Sequence, residues 1–279
     1  MSSDGRPTRR AILRGLLTTG TGAVAGRVWH GFAYERHAVR LVRSDVRVTG
    51  LPPALDGLTV GLITDTHASA SVPDEDIRAA VALLAQARPD LIALGGDYVT
   101  DLDTTRAVHS AELLAPLTGA PEGAFAVLGN HDDDRVVPAA LAARGFEVLR
   151  DERTTRNIRG EAVVIAGLRY WTRRLAEVAK VIAGSAPSTI LLAHDPRRLR
   201  EAAQLGIPLV LSGHTHGGQV VLPGIGAVAA RRFPVVAGTG RDGGSTVFVS
   251  RGVGTVVAPV RLNCPPEVSL LTLRTSALP

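Results

Sequence analysis

The 279-residue sequence contains one cysteine, one lysine and one methionine, and only 4% of its residues are aromatic. Cys264 is the only cysteine, so no intrachain disulfide can form, and a lone cysteine is usually a small buried apolar residue. Internal repeats and low-complexity tracts are also missing, because the 30 glycines and 17 prolines punctuate the whole chain. These absences exclude a disulfide-stabilised scaffold and a repeat array.

Net positive charge is small outside the N-terminus. The formal net charge is +5, but residues 1–27 contain five arginines and one aspartate and therefore carry +4 of it. The remaining residues are near +1, which gives no support to a nucleic-acid-binding surface. With 45% hydrophobic and 20% charged residues, the chain has the composition of a globular protein that buries a sizeable core.

The N-terminal charge belongs to a pattern that resembles a twin-arginine export signal. The pair Arg9-Arg10 is followed by apolar residues and Arg14, and then by the uncharged stretch Gly15–Gly26 with an Ala-Val-Ala cleavage pattern. This stretch is too short to span about 30 Å of hydrocarbon, but it matches the apolar region of a signal. We therefore predict a signal segment over residues 1–27, recognised by the twin-arginine export machinery, and a protein exported to the bacterial cell envelope or its membrane surface. A disordered basic tail with a Gly/Thr-rich linker is the alternative.

Short apolar runs alternate with helical patterns from Gly57 onward. The runs are too short for helices and are bounded by Gly, Pro or polar residues, which is typical of buried strands. They are Leu58–Ile63, Leu91–Leu94, Ala124–Leu128, Val163–Ala166, Ile190–Ala193, Leu209–Leu211, Val247–Val249 and Val268–Leu273. The predicted helices are Asp74–Ala87, Arg106–Leu114, Val136–Ala143, Arg173–Ile182 and Arg197–Gln204. This alternation predicts an α/β sheet domain over 57–279, preceded by a lead-in segment (28–56) whose residues Val39–Val48 form a strand.

Five of the predicted strands are each followed by a polar cluster. Because ligands bind at the carboxyl ends of the strands in an open α/β sheet, we expect the clusters to converge at one edge. Five of the eight histidines lie in them. The clusters are Asp65-Thr66-His67, Gly96-Asp97, Gly129-Asn130-His131-Asp132, His194-Asp195 and Gly213-His214-Thr215-His216.

These side chains have the chemistry of a metal site. Imidazole and carboxylate groups bind divalent transition metals, and an asparagine amide oxygen can complete a coordination shell. Seven convergent ligands are too many for one ion, which predicts two ions about 3.5–4 Å apart. Since no thiolate is present among the ligands, Mn²⁺, Fe²⁺ or Zn²⁺ is expected.

The ordered set Asp-x-His, Gly-Asp, Gly-Asn-His-Asp, His and Gly-His-x-His resembles the calcineurin-like metallophosphoesterase family over roughly Leu58–Gln219. Gly213–Gln219, Ser250–Gly254 and Pro265-Pro266-Glu267, together with the signal, resemble its exported YkuE-like branch. One departure is Thr64-Asp65-Thr66-His67, where relatives usually have Ser-Asp-Leu-His, and it leaves the ligands in place.

The resemblance implies a fold and a role for each residue. The fold would be a four-layer α/β/β/α sandwich, with two mixed sheets flanked by helices. The first metal would be bound by Asp65, His67 and His216, the second by Asn130, His194 and His214, and Asp97 would bridge the pair. His131 would not bind metal but act on the leaving oxygen as general acid or charge stabiliser. Asp132 would orient His131, or else be a loop carboxylate in the acidic run Asp132–Asp134.

The implied activity is hydrolysis of a phosphate ester, a phosphodiester or a monoester, by hydroxide held between two metal ions. Three alternatives use the same residues. A metal-dependent hydrolase could act on an amide, or on a lipid-linked pyrophosphate such as an acylated UDP-sugar. A metal-binding envelope protein with a vestigial site would have no turnover, but the complete ligand set argues against decay.

Overall fold

The computed structural model describes residues 21–22, 24–184 and 188–276. The twin-arginine signal predicted over residues 1–27 lies mostly outside the described residues and stays a prediction. The boundary predicted between a lead-in segment (28–56) and the main domain (57–279) also stays a prediction.

Helices and strands alternate along the described residues. The helices are α1 (24–33), α2 (Asp74–Gln86), α3 (Ala107–Leu114), α4 (Val136–Ala142), α5 (Leu175–Ile182) and α6 (Leu199–Leu205). The strands are β1 (Arg40–Thr49), β2 (Thr59–Ile63), β3 (Leu91–Leu94), β4 (Ala124–Ala126), β5 (Glu147–Val148), β6 (Glu152–Ile158), β7 (Glu161–Leu168), β8 (Thr189–Ala193), β9 (Leu209–Ser212), β10 (Val221–Leu222), β11 (Gly226–Ala227), β12 (Gly238–Asp242), β13 (Ser245–Val249) and β14 (Glu267–Ser276).

Two mixed sheets of six strands form the centre of the protein. The first has the order β1-β14-β2-β3-β4-β5, and the second has the order β12-β13-β9-β8-β7-β6. In the first sheet, β2 to β5 are mutually parallel and β14 is antiparallel to β2. In the second sheet, β13, β9, β8 and β7 are parallel, and β12 and β6 run antiparallel at the edges. The predicted leading strand, β1, pairs with β14 along its whole length.

Three buried clusters define four layers. The cluster between the sheets contains Leu62 of β2 and Leu211 of β9. A second cluster packs α2, α3 and α4 on the outer face of the first sheet, and a third packs α5 and α6 on the outer face of the second. The architecture is therefore an α/β/β/α sandwich, which confirms the predicted fold class.

The continuous apolar runs follow from this layering. In β3, Leu91 and Ala93 point into the cluster between the sheets, whereas Ile92 and Leu94 point toward the helices. A strand that is covered on both faces has no solvent-facing position, so its sequence does not alternate between apolar and polar residues. The edge strand β6 is different. Its residues Glu152–Ile158 are mostly polar and partly exposed, so no apolar run in the sequence indicates this strand.

Helix α2 shows why the helix predictions were accurate. Its first turn holds Asp74, Glu75 and Asp76, whose negative charges stabilise the positive end of the helix dipole. The predicted apolar stripe, which includes Ile77 and Leu84, is buried against the first sheet. Helix α6 begins two residues later than predicted, at Leu199, because a short 3₁₀ turn precedes it.

Helix α1 lies against the C-terminal part of the chain. The backbone N–H of Arg261 donates to the carbonyl oxygen of Gly31 at 3.2 Å, and Arg27 donates to Oδ1 of Asn263. Trp29 is 62% exposed. Among residues 21–22, 24–184 and 188–276, no helix has the length and apolar character needed to cross a membrane.

A buried arginine fixes the loop between β13 and β14. Arg261 is fully buried, and its guanidinium donates to the carbonyl oxygens of Arg251 at 2.9 Å, Gly252 at 3.1 Å and Gly254 at 2.6 Å. The backbone N–H of Gly254 in turn donates to the carbonyl oxygen of Asp65 at 2.7 Å. Arg261 therefore holds the loop against the segment that follows β2.

Arg261→Met should lower the free energy of unfolding by about 2–4 kcal/mol, because several buried carbonyl oxygens lose their donor. Urea denaturation measures the change. Arg43→Met is the matched control, since Arg43 is exposed on β1, and it should shift stability by no more than about 0.5 kcal/mol. Equal effects of the two substitutions would contradict the role given to Arg261.

Candidate metal centre

Five strand ends from the two sheets meet at one edge of the molecule. Two contacts join the sheets there: Nδ1 of His194 donates to the carbonyl oxygen of Gly95 at 2.7 Å, and the backbone N–H of His214 donates to Oδ1 of Asp65 at 3.0 Å. The predicted residues sit after β2 (Asp65, His67), β3 (Asp97), β4 (Asn130, His131, Asp132), β8 (His194) and β9 (His214, His216).

Asp65, His67 and His216 form one group of potential metal ligands, because one ligand atom from each lies within 4.8 Å of the others. The Nε2 atoms of His67 and His216 face each other at 3.1 Å, and Nε2 of His216 is 3.4 Å from Oδ1 of Asp65. Burial lowers the pKa of His67 to about 4 and the pKa of His216 well below its usual value. Both rings are therefore neutral at pH 7 and can offer a nitrogen lone pair.

Asp97, His194 and His214 form a second group. Nε2 of His194 lies 3.1 Å from Oδ2 of Asp97 and 3.1 Å from Nδ1 of His214. Because Nδ1 of His194 donates to a backbone carbonyl, its Nε2 is the atom left to bind a metal, as is common for metal-binding histidines. Burial, followed by the charge of His194, lowers the pKa of His214 to about 3.

Asp97 contacts both groups. Its Oδ2 lies 3.1 Å from Nε2 of His194 and 3.6 Å from Nε2 of His67. Burial acts to raise the pKa of Asp97, but the charge of His194 overcomes it and holds that pKa below the usual range. In the other direction, burial acts to lower the pKa of His194, and Asp97 raises it to about 10. A buried carboxylate in this position requires a neighbouring positive charge.

Unpaired polar atoms support the fit of a metal. In the described part of the chain, Oδ1 of Asn130 is buried and accepts no hydrogen bond, although buried acceptors are nearly always paired. Nε2 of His214 is also buried without a partner there. Both residues border the same groove as Asp97. Carboxylate, imidazole and amide oxygen together suit a divalent transition metal.

The backbone is strained at the predicted ligands. Asp65, His67, Asp97, His214 and His216 all have a positive φ, between 47° and 70°. Non-glycine residues rarely adopt this conformation, and such strain clusters at functional sites. After β2, β3 and β9, the backbone therefore turns sharply at the residues that carry the predicted ligands.

Two glycines allow these turns to approach each other. A Cβ atom at Gly129 would overlap Oδ1 of Asp97, and one at Gly213 would overlap Oδ2 of Asp65. Any larger residue at either position would displace a carboxylate of the centre, so glycine is required there by the close approach.

Asp132 holds two of the loops in place. Its Oδ2 accepts from the backbone N–H groups of Asp97 at 2.7 Å and Gly129 at 2.8 Å, and its Oδ1 accepts from Tyr98 at 2.8 Å. The sequence had predicted that Asp132 orients His131. In the structure, the carboxylate instead binds backbone N–H groups, because the loops after β3 and β4 carry donors that the sheet does not satisfy.

His131 lies at the edge of the centre. Its ring is 5.0 Å from that of His67, and it borders the groove. Its Nδ1 accepts from the backbone N–H of Asp101 at 3.1 Å, and Oδ1 of Asp101 lies 3.3 Å from the same nitrogen. Accepting at Nδ1 places the proton of the neutral ring on Nε2.

Sequence reasoning missed two aromatic residues beside the second group. The ring of Tyr170 lies 5.4 Å from that of His214 and 5.9 Å from that of His194, and Phe233 lies 5.3 Å from His214 on another side. Neither belongs to a strand-end cluster. With aromatic residues so scarce in the chain, Tyr170 and Phe233 could have been singled out by type, but not by position.

Asp132→Asn should lower the free energy of unfolding of the metal-free protein by about 1–3 kcal/mol, because the amide keeps only one acceptor oxygen for the backbone N–H groups. Burial raises the pKa of Asp132 to about 7, so denaturation is measured at pH 8, where the carboxylate is ionised. Asp134→Asn is the control, since Asp134 forms only partly exposed ion pairs. Unchanged stability with lost turnover would instead favour the predicted role in orienting His131.

Comparison with known proteins agrees with this geometry. A family model described as calcineurin-like phosphoesterase matches residues 58–218. The uncharacterized metallophosphoesterase YkuE of Bacillus subtilis is 27% identical over 96% of this chain and 98% of its own length. The phosphodiesterase YaeI of Escherichia coli is 34% identical over 76% of this chain and 80% of its own length. An uncharacterized metallophosphoesterase of Aquifex aeolicus is 32% identical over 86% of this chain and 94% of its own length. The chain belongs to the calcineurin-like phosphoesterase family and is a hydrolase.

Proposed function

We propose that this protein is a phosphodiesterase that uses two divalent metal ions. One observation carries the proposal: the carboxylate of Asp97 lies within 3.6 Å of a ring nitrogen from each ligand group. Two separate mononuclear sites would not share a buried carboxylate. The similarity to a relative named as a phosphodiesterase supports diesters over monoesters as substrates.

The residues divide into three sets on this proposal. Asp65, His67 and His216 would hold one ion, His194, His214 and Asn130 would hold the other, and Asp97 would be shared by both. When bound, the two ions supply Lewis-acid charge to the phosphate oxygens and lower the pKa of a water molecule. Mn²⁺, Fe²⁺ and Zn²⁺ suit the mixed oxygen and nitrogen donors.

His131 acts on the leaving group rather than on the metals. Its Nδ1 accepts from the backbone N–H of Asp101, so the proton at Nε2 is available to a departing oxygen. Asp101 is largely exposed, and its Oδ1 lies 3.3 Å from Nδ1 of His131. Asp132 serves as a positioning residue that fixes the loops of Asp97 and Gly129.

The substrate is proposed to be met outside the cytoplasm, at the cell envelope. The support is the Arg9-Arg10 pattern and the short apolar stretch after it. Twin-arginine systems move folded proteins, which suits an enzyme that acquires metals before export.

Asp97→Ala should remove both ions together, because the bridging carboxylate is common to the two groups. Elemental analysis of the purified protein measures the metal content directly, without an assay. Asp242→Ala, on the exposed edge strand β12, is the control and should keep its metal. Retention of two tightly bound ions by Asp97→Ala would rule out the bridging role.

His131→Ala should keep its metal content and lose a factor on the order of 10²–10⁴ in kcat. The loss should be smaller for a nitrophenyl ester, since that leaving group needs no proton. His109→Ala is the matched control, because His109 pairs with Asp74 on the surface of α2. Loss of metal together with activity would make His131 a ligand, and an equal loss for good and poor leaving groups would exclude the acid role.

Replacing Arg9 and Arg10 with lysine should retain the precursor inside the cell, because the export machinery recognises the arginine pair. Cell fractionation and immunoblotting measure the distribution. Replacement of Arg6 with lysine, outside the pair, should leave export unchanged. Normal export of the doubly substituted protein would remove the support for a twin-arginine signal.

A further inference from the structure

A groove of about 620 Å³ opens directly onto the candidate metal centre. One end is bordered by Asp97, Asn130, His131, His214 and His216. The volume is in the range that holds a small organic ligand. A substrate whose phosphate reaches the metals must therefore extend the rest of its structure along this groove.

The groove changes character away from the metals. One wall comes from the segment that follows the short 3₁₀ turn at His216, and it carries Val220, Leu222 and Val228. A second wall comes from the loop after β13 and carries Val256 and Val257. In the described part of the chain, Arg232 is the one charged residue of the lining outside the metal centre. The walls thus offer an apolar surface and no carboxylate that would repel a phosphate ester.

The two walls are held together rather than loosely apposed. The side-chain amide of Gln219 donates to the carbonyl oxygens of Val256 at 3.2 Å and Ala258 at 2.8 Å, and its Oε1 accepts from the N–H of Val256 at 3.0 Å. Because Gln219 follows the turn that carries His216, the position of the apolar loop is coupled to that of a metal ligand.

Val257 and its neighbours in the lining leave apolar side chains exposed at the groove. Its side chain is fully exposed, and its φ is +65°, a conformation that is unfavourable for a β-branched residue. Leu222 and Val228 are 37% and 49% exposed at the same groove. Adjacent exposed apolar side chains beside an active site usually mark a binding surface.

We propose that this groove binds the hydrocarbon chain of an amphiphilic phosphodiester. The phosphate lies at the metal centre, and the chain runs between Val228 and Val256 toward Val257. The inference rests on the proposed phosphodiesterase function and deepens it, because it assigns the class of substrate. Because the groove itself binds the hydrocarbon chain of the substrate, the protein recognises a single dissolved substrate molecule without a membrane.

The test compares two 4-nitrophenyl phosphodiesters that differ only in the second ester group, ethyl or decyl. The full-length protein is loaded with Mn²⁺, and each ester is assayed below the critical micelle concentration of the decyl compound. Each methylene that leaves water contributes about a fourfold factor, so partial burial of the chain should raise kcat/KM for the decyl ester by on the order of 10².

Two variants locate the effect. Val257→Asn should reduce the decyl-to-ethyl ratio of kcat/KM about three- to tenfold, and asparagine tolerates a positive φ, so the loop keeps its conformation. Leu222→Glu should reduce the ratio further. Val108→Asn is the matched control, because Val108 is 53% exposed on α3 and does not line the groove.

The outcomes separate the two proposals. Hydrolysis of neither ester would contradict the phosphodiesterase function itself. Hydrolysis of both at equal kcat/KM, or a decyl advantage that Val257→Asn and Leu222→Glu leave intact, would overturn the groove assignment alone. An advantage that appears only above the micelle concentration would also overturn it, since it would come from an interface rather than from the groove.

Discussion

The buried carboxylate of Asp97 is the constraint on which the rest of the site depends. It is 1% exposed and lies between the imidazoles of His67 and His194, which come from different sheets. A charge in this position is tolerated only if opposite charge or donors surround it. The facing imidazole nitrogens and the unpaired oxygen of Asn130 form a donor set that could hold metal ions beside this carboxylate.

Holding the predicted ligands together requires backbone strain at the strand ends and hydrogen bonds that fix the loops in that conformation. Five of the seven predicted ligands adopt positive φ values, which a free loop would not maintain. Asp132 ties the loops after β3 and β4, and Arg261 ties the C-terminal loop to the segment after β2. Both are buried charged residues whose partners are backbone groups. The two packed sheets provide the rigid base from which these loops extend.

The site combines a polar centre with apolar walls, and the two halves are mechanically connected. His216 belongs to a group of potential metal ligands, and Gln219, three residues later, fixes the loop that carries Val257. Such an arrangement suits a substrate that has an anionic and an apolar end.

The sequence by itself determined the α/β class and the candidate ligands. Its short apolar runs are strands covered on both faces, and the Asp, His and Asn residues that follow five of them are the candidate ligands. It could not find the polar edge strand β6, because an exposed edge carries no apolar run. Because Asp132 is next to His131 in the sequence, it was predicted to orient that ring. Its carboxylate accepts hydrogen bonds from backbone N–H groups in the loop after β3, which lies far away in the sequence. Only the tertiary structure decided the role of Arg261 in the loop after β13, the position of Tyr170 beside the histidines, and the apolar groove. Each depends on contacts between segments far apart in the chain, and no local sequence pattern encodes such contacts.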